Sequence, residues 1–298
     1  MMQRRFVYIC CFLFCAVFNI FAQSGTTDNL AWKIIDGVLN ITGSGAMPDY
    51  EYESAPWFSY KSEITAVVIN EGVTNIGNWA FYDCDAITSV VIPNSITSIG
   101  EWSFFGSNSL KSVNIGNLVK TIGEWAFAYC SSLASVTIGR SVTIIGESAF
   151  AECYELKSIT IPNSVTHIGE SAFANCRLTS IIIPNSVTVI GKQAFAGCID
   201  LTSVSISNRI RSIEDMTFYY CPKLRSVTIP NSVVSIGKHA FAHCIGLTEI
   251  INHAPRPQAI DGDVFEKVNK STCTLRVPAS SAAAYRAAEG WKEFVNIN

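Results

Sequence analysis

The chain of 298 residues is poor in charge, in histidine and, beyond its first 22 residues, in long apolar runs. Asp, Glu, Lys and Arg make up 15% of it, against about 25% in an average soluble domain. Solubility must therefore rest on Ser, Thr and Asn, as suits strands that stack in register, where like charges would align. The formal net charge of -3 supplies no basic excess with which to neutralise phosphates, so nucleic acid is excluded as a partner. Only His167, His239, His243 and His253 carry imidazole, and no P-loop, G-x-S-x-G elbow or H-E-x-x-H motif is present. Hydrolytic, phosphoryl-transfer and metal chemistry thus lack their usual residues. No enzymatic activity, cofactor or resident metal is expected.

The one long apolar run lies at the start, where Arg4 and Arg5 precede Phe6 to Phe18 and the small residue Ala22 follows. A basic start, a short apolar stretch and a small terminal residue make residues 1–22 an export signal cut near Ala22. The run falls short of the ~20 residues that span a bilayer, and no second run of that length follows, so no membrane span is expected after removal. Cleavage takes away two arginines and no acid, moving the net charge from -3 to -5.

Cysteine is abundant and regular. Cys84, Cys130, Cys153, Cys176, Cys198, Cys221 and Cys244 are separated by 46, 23, 23, 22, 23 and 23 residues. The same period governs the whole middle of the chain: eight units run from Val67 to Glu249 on the pattern V-x-I-P-N-S-V-T-x-I-G-x-x-A-F-A-x-C-x-x-L-x-S. Ser107 replaces the cysteine in the second unit, and one residue is missing after Cys176.

Within a unit, Leu156, Ile159 and Ile161 alternate as a short strand with one buried face. Pro162 and Asn163 end it, because proline cannot donate to a ladder and asparagine bonds neighbouring backbone. Val165 and Ile168 point inward again, Gly169 permits a sharp bend, and Ala172, Phe173 and Cys176 suit one helical or 3₁₀ turn. A single lap cannot bury this stripe alone, so laps must stack with each residue above its equivalent. The expected fold is an α/β solenoid: a parallel β-strand stack with short helical or 3₁₀ turns and capped ends, about 40 Å long at ~4.8 Å per lap. Phe81, Phe104, Phe127, Phe150, Phe173, Phe195, Phe218 and Phe241 should form one internal column, and the cysteines another of buried thiols, since parallel side chains rarely meet disulfide geometry.

An uncapped stack exposes a hydrophobic cross-section, so residues 23–66 read as an N-terminal cap and 250–298 as a degenerate repeat with a C-terminal cap. Trp32 to Gly45 suits a hairpin turning on Asp36-Gly37. Ala46 to Ser59 is an aromatic loop suited to packing on the first lap. Ile260 and Phe265 keep repeat positions, Cys273 to Val277 suits a strand, and Ala279 to Glu289 a helix closed by Gly290, with Tyr285, Trp291 and Phe294 as apolar contacts.

The motif in Ile161 to Ser180 and Ile229 to Glu249 closely resembles the BspA-like leucine-rich repeats of bacterial surface antigens. The stretches GVLNITGSGAMPDY and TLRVPASSAAAYRAAEGWKEF are similar to segments flanking such arrays. The resemblance covers nearly all of the mature chain. It implies a secreted or cell-surface protein, with adhesion to extracellular-matrix proteins or cells among the family's roles, and it carries over no catalytic residue.

Three surface features are candidates for binding. The thirteenth position of the unit gives Trp79, Trp102 and Trp125, a ladder that either stacks sugars or anchors a protein, or is covered by Tyr50, Tyr52, Trp57 and Phe58 of the cap. The twelfth gives Glu101, Glu124, Glu147 and Glu170, then Lys192, Asp215 and Lys238: a carboxylate column for calcium or a basic partner, or negative charge favoured at the start of a helical turn. The outward strand face carries Asn114, Thr137, Thr160, Ile182 and Ser205 beside a row of serines. It is flat, small and neutral, and suits many weak hydrogen bonds over an interface of ~800 Å² per side. His239 and His243, four apart beside Cys244, either face one metal or lie on an exposed helix face.

The expected function is a secreted or cell-surface binding module, probing proteins or glycans on a host or neighbouring cell. The alternative is an envelope scaffold without such a ligand. A polysaccharide-acting enzyme ranks last, because the strand face offers Ser and Thr where paired carboxylates are needed.

Overall fold

The computed structural model describes residues 23–298. The expected export signal, residues 1–22, lies outside them. The described chain winds into a solenoid of parallel strands with little helix. Each lap has three sides. The first carries a short strand, as at Ser112–Asn114, Ser135–Thr137, Ser180–Ile182 and Ser203–Ser205, with its middle residue buried and the flanking ones exposed. The second carries a two-residue strand, as at Thr121–Ile122, Ile144–Ile145 and His167–Ile168. Neighbouring laps pair parallel and in register, Val113 with Val136 and Ile122 with Ile145, so like residues stack.

On the third side, the expected helical or 3₁₀ turn over Ala172 to Cys176 is replaced by two tight turns, repeated lap after lap. In the third lap, Ala126 N–H donates to Gly123 O at 3.4 Å and Cys130 N–H to Phe127 O at 3.3 Å. The third residue of each turn, Trp125 and Tyr129, has φ of 57° and 59°, the signature of type II geometry. The same position has φ between 49° and 57° at Ser148, Ser171, Gln193, Met216 and His239. A left-handed non-glycine residue costs roughly 1–2 kcal/mol. What offsets it is lateral bonding: Trp125, Phe127 and Tyr129 donate their N–H groups to Glu147, Ala149 and Ala151 of the next lap, each at 2.8 Å. A helix would spend those donors on its own carbonyls; here they tie lap to lap, as strands do.

The bend glycines serve close approach rather than unusual φ. A Cβ on Gly123 would stand 2.6 Å from Gly100 C and 2.7 Å from Glu101 N. In the seventh lap Glu214 occupies this position. There the second-side ladder is interrupted: Gly191 donates to Ile168 O at 2.8 Å and Gly237 to Ile213 O at 2.7 Å, but among the described residues Glu214 makes no such bond to Ile190, and the strands Val189–Ile190 and Ser212–Ile213 fall in separate sheets. The Cβ that glycine lacks holds these laps apart on that side.

The phenylalanines form one buried column. Phe127, Phe150 and Phe173 stack at 5.5 and 5.6 Å between centroids, with planes within 3° and 5°. The column runs on through Phe241 to Phe265 of the degenerate unit at 5.5 Å. Beside it, all eight described cysteines are free and buried. Their thiols have a specific partner: Cys130, Cys153 and Cys176 donate to the carbonyls of Phe104, Phe127 and Phe150 in the preceding lap, at 3.2, 3.3 and 3.1 Å.

Both ends are closed by aromatic rings. β1 (Gln23–Thr27), β2 (Leu30–Ile35) and β3 (Val38–Gly43) form an antiparallel sheet. Asp36 and Gly37, with φ of 49° and 76°, make the hairpin turn that the sequence indicates. β1 is an addition to that reading. β3 pairs parallel with β4 (Ala66–Ile69), Leu39 beside Val67, so the hairpin becomes the first layer of the stack. Trp57, fully buried, stacks on Phe81 at 5.7 Å and donates its indole N–H to Ala80 O at 2.7 Å. At the other end Trp291 and Phe294 both meet Phe265 at 5.4 Å. The expected strand there is Thr274–Arg276, paired with Glu249–Asn252. The expected helix is shorter: a 3₁₀ turn at Ala279–Ser281 and α1 (Ala282–Ala287), with Gly290 at φ 78° beyond it.

Candidate interaction surface

The outward face of the first side is built from residues on either side of each buried valine or isoleucine. Registers place Ser112 beside Ser135 and Asn114 beside Thr137, and farther along Ser180 beside Ser203 and Ile182 beside Ser205. Ile182 is 73% exposed, the most open large apolar side chain among the described residues. Thr160 is exposed but belongs to no strand, because the ladder lapses in the fifth lap, the one that is a residue short. Thr137 and Ser205 thus lie in separate sheets with Thr160 between them. Threonines at the strand entrances bind the laps: Thr143 and Thr166 hydroxyls donate to Lys120 and Thr143 carbonyls, both at 3.2 Å, and Thr202 to Thr179 O at 2.9 Å. At the N-terminal end, Ala31, Lys33, Ile35, Asn40 and Thr42 line a hollow of about 520 Å³ in the hairpin.

The tryptophan ladder exists, on the third side. Trp79, Trp102 and Trp125 stack at 5.0 and 4.9 Å with planes within 3° and 7° of parallel. All three are half-buried. Parallel rings at that spacing turn their faces toward each other and their edges toward solvent, so no indole face is free between laps. At the Trp79 end Tyr52, itself 59% exposed, stands edge-on at 5.8 Å. Of the expected covering residues, Trp57 goes to the core column instead and Tyr50 packs against Trp57 at 5.6 Å. A second column, not singled out in the sequence, runs beside the ladder. Tyr82 stacks on Phe105 at 5.2 Å, Phe105 meets Trp102 at 4.8 Å, and Tyr129 meets Phe105 at 5.2 Å. Its signal is a departure from the repeat: where the third to sixth units and the eighth read A-F-A, the first two read A-F-Y and S-F-F.

Next to the ladder, Glu101, Glu124, Glu147 and Glu170 are exposed in successive laps. Because no helix begins there, the helix dipole does not account for them. Their carbonyls accept the lateral N–H bonds of the preceding lap, and none forms an ion pair among the described residues. Partial burial, then the charges of Glu124 and Glu170, push the Glu147 carboxyl above its ordinary pKa. Among the described residues no group of three or more His, Cys, Asp or Glu converges as a metal site. His239 and His243 each occupy a left-handed turn position, with φ of 55° and 61°, rather than one helix face. His239 lies 3.6 Å from both Asp263 and Glu266, while His243 packs on Tyr219 at 5.3 Å.

The thiols are chemically quiet. Burial raises Cys84 to about 12 and Cys273 to about 11, and lifts Cys130, Cys153, Cys176 and Cys198 as well. The nucleophilic thiolate is therefore scarce at neutral pH.

Comparison with known proteins agrees with the repeat. The profile of the BspA type leucine rich repeat region matches in six copies, over residues 54–179 and 166–283. Among solved structures, a leucine-rich repeat protein from Eubacterium ventriosum is 21% identical with a TM-score of 0.46, covering 91% of this chain and 83% of that one. The T. pallidum leucine-rich repeat protein is 23% identical at 0.47, covering 76% and 91%. A leucine-rich repeat protein from Bacteroides ovatus is 23% identical at 0.44, covering 93% and 86%. No curated protein sequence matches. With its profile matched over most of its length and its laps stacked in register, this chain belongs to the family of BspA type leucine-rich repeat proteins.

Proposed function

We propose that this chain is a secreted or cell-surface recognition module that binds an extracellular protein or glycan through the outward face of its strand stack, without catalysing a reaction. The observation that carries this reading is the chemistry of that face. From Ser112 to Ser205 it presents small neutral side chains at lap spacing around one open apolar anchor, Ile182. Such a surface has many hydrogen-bonding groups, little charge to desolvate and no need to reorganise, so binding energy is spread over length rather than held in a pocket. The basic and apolar start of the chain supports export, and no described helix is long and apolar enough to cross a membrane.

The test is a binding screen of residues 23–298 against matrix proteins and a glycan array, run beside Ile182→Glu. Saturable binding that the substitution weakens at least about tenfold is the expected result. An undiminished signal in Ile182→Glu moves the site off this face. A folded fragment that binds nothing on either panel removes the reading in favour of a structural role in the envelope.

A further inference from the structure

We infer that the third side of the first five laps is a second interaction surface, one that docks a cationic amphipathic polypeptide segment. It is distinct from the strand face and does not depend on what that face binds.

The surface has two parallel tracks. One is aromatic: Tyr52, Trp79, Tyr82, Trp102, Phe105, Trp125 and Tyr129 form a continuous set of ring contacts between 4.8 and 6.3 Å. These rings lie outside the main core, on a side where the third, fourth and fifth laps carry Ala128, Ala151 and Ala174 in place of Tyr82 and Phe105, and the fourth and fifth carry Ser148 and Ser171 in place of the tryptophans. Alanine and serine suffice to close the lap at these positions, so the large rings of the first laps are not required by the fold. The other track is the carboxylate row one residue away, Glu101, Glu124, Glu147 and Glu170.

Charge complementarity selects the occupant. Farther along the solenoid, acids are answered from neighbouring laps: Asp215 holds Lys192 at 3.0 Å, Asp200 holds Lys223 at 2.7 Å and also Arg177, and Glu249 holds Arg276 at 2.6 Å. The four glutamates receive no such partner among the described residues, and their mutual repulsion is relieved when cations from outside lie along them. Calcium is a poorer match, since the carboxylates form a line and do not converge. A sugar is poorer too, because stacking needs open indole faces and both gaps of the ladder are filled by the rings themselves. Ring edges beside carboxylates suit aliphatic and basic side chains set next to each other. A helix supplies such stripes at i, i+3 and i+4, about 5–6 Å apart, close to the ~4.8 Å lap spacing. Five laps span roughly 24 Å, which an 18-residue helix of about 27 Å covers.

The probe is an 18-residue peptide of leucine and lysine in amphipathic order, with a leucine and glutamate counterpart as control. Titration into residues 23–298 is followed by tryptophan fluorescence and calorimetry at low and high salt. Saturable binding of the basic peptide with a change in tryptophan emission is expected, with none for the acidic one. Affinity should fall at least about tenfold in high salt, in Glu124→Gln/Glu147→Gln and in Trp102→Ala. Tyr129→Ser, at a ring 43% exposed, should weaken binding severalfold and guards against loss of folding in Trp102→Ala. Ile182→Glu should leave this binding unchanged. Binding indifferent to both the glutamine pair and Tyr129→Ser overturns the inference. So does calcium heat that the glutamine pair abolishes while the basic peptide gives none, or a glycan that binds and is lost with Trp102→Ala.

Discussion

The first five laps and the last three share one interior and differ on one surface. Inside, rings stack from Phe81 to Phe265 with centroid spacings of 4.9 to 5.6 Å throughout. Outside, on the turn side, the first laps carry indoles and unpaired carboxylates, and the last carry Gln193, Met216 and His239 with cross-lap ion pairs. In a stack, any side chain at a given position meets its own counterparts above and below. Like apolar groups gain from that arrangement, and like charges lose. The C-terminal half resolves the conflict by alternating sign, as in Lys192, Asp215, Lys238. The row from Glu101 to Glu170 leaves it unresolved, as is expected of a surface that meets a partner from outside.

The largest expected effect tests the shared interior. Phe127→Ala and Phe218→Ala each remove a fully buried ring stacked on both sides. Each should cost about 3–5 kcal/mol in urea unfolding, and the two should agree within about 1 kcal/mol. A much cheaper loss in one half would show that the halves differ in core as well as surface.

A smaller effect concerns lap spacing. Gly123→Ala drives a methyl into the backbone of the lap below and should cost about 1–3 kcal/mol. Glu214→Gly, in the other half, should gain roughly 1 kcal/mol by restoring the missing lateral bond. Slower amide exchange at residue 214 would report the bond itself, and an unchanged rate would sink this account of the seam. Two buried hydroxyls in the second lap offer a similar gain: Ser103 and Ser107 are fully buried and their oxygens find no partner. Ser107→Cys places a thiol where the other laps have one, and Ser103→Ala restores the repeat residue. Each should raise stability by about 1 kcal/mol, read as a higher urea midpoint.

What the sequence made legible follows from which contacts are local to the period. The column from Phe81 to Phe241 was readable because residues 22 or 23 apart must superpose in any stack, and Asp36-Gly37 because its turn chemistry is local. The type II turns were not readable. Glu-Trp-Ala-Phe-Ala contains good helix formers and no glycine at Trp125, and what forces φ positive there is a hydrogen bond to Glu147, 22 residues away. β1 escaped notice because QSGTT is polar and short; its place is fixed by pairing across to β2, where Gly25 leaves room for the Trp32 ring. The tracks beside the ladder were half visible: the indoles stood out by type, but only the structure shows that their faces are spent on each other.

The smallest expected effect is one of sign, and it separates the halves most cleanly. Glu147 titrates above its ordinary value of 4.5 through burial and its neighbours, so its charged form opposes folding. That penalty is fully present above the raised folded pKa and fades as pH falls through it toward 4.5. Asp200 lies below its ordinary value of 3.8 because Lys223 and Arg177 hold it. Its support is present above 3.8 and is lost as pH falls through the lowered folded value. Glu147→Gln should therefore be more stable than the parent at neutral pH, with the advantage vanishing on acidification. Asp200→Asn should be less stable at neutral pH, with its deficit closing only at lower pH. Urea midpoints collected from neutral pH down to about 3 across the ordinary carboxylate range decide between this and a uniform surface: two differences of the same sign would mean that the carboxylates of both halves sit in equivalent surroundings, and the glutamate row would lose its claim to be waiting for a cation.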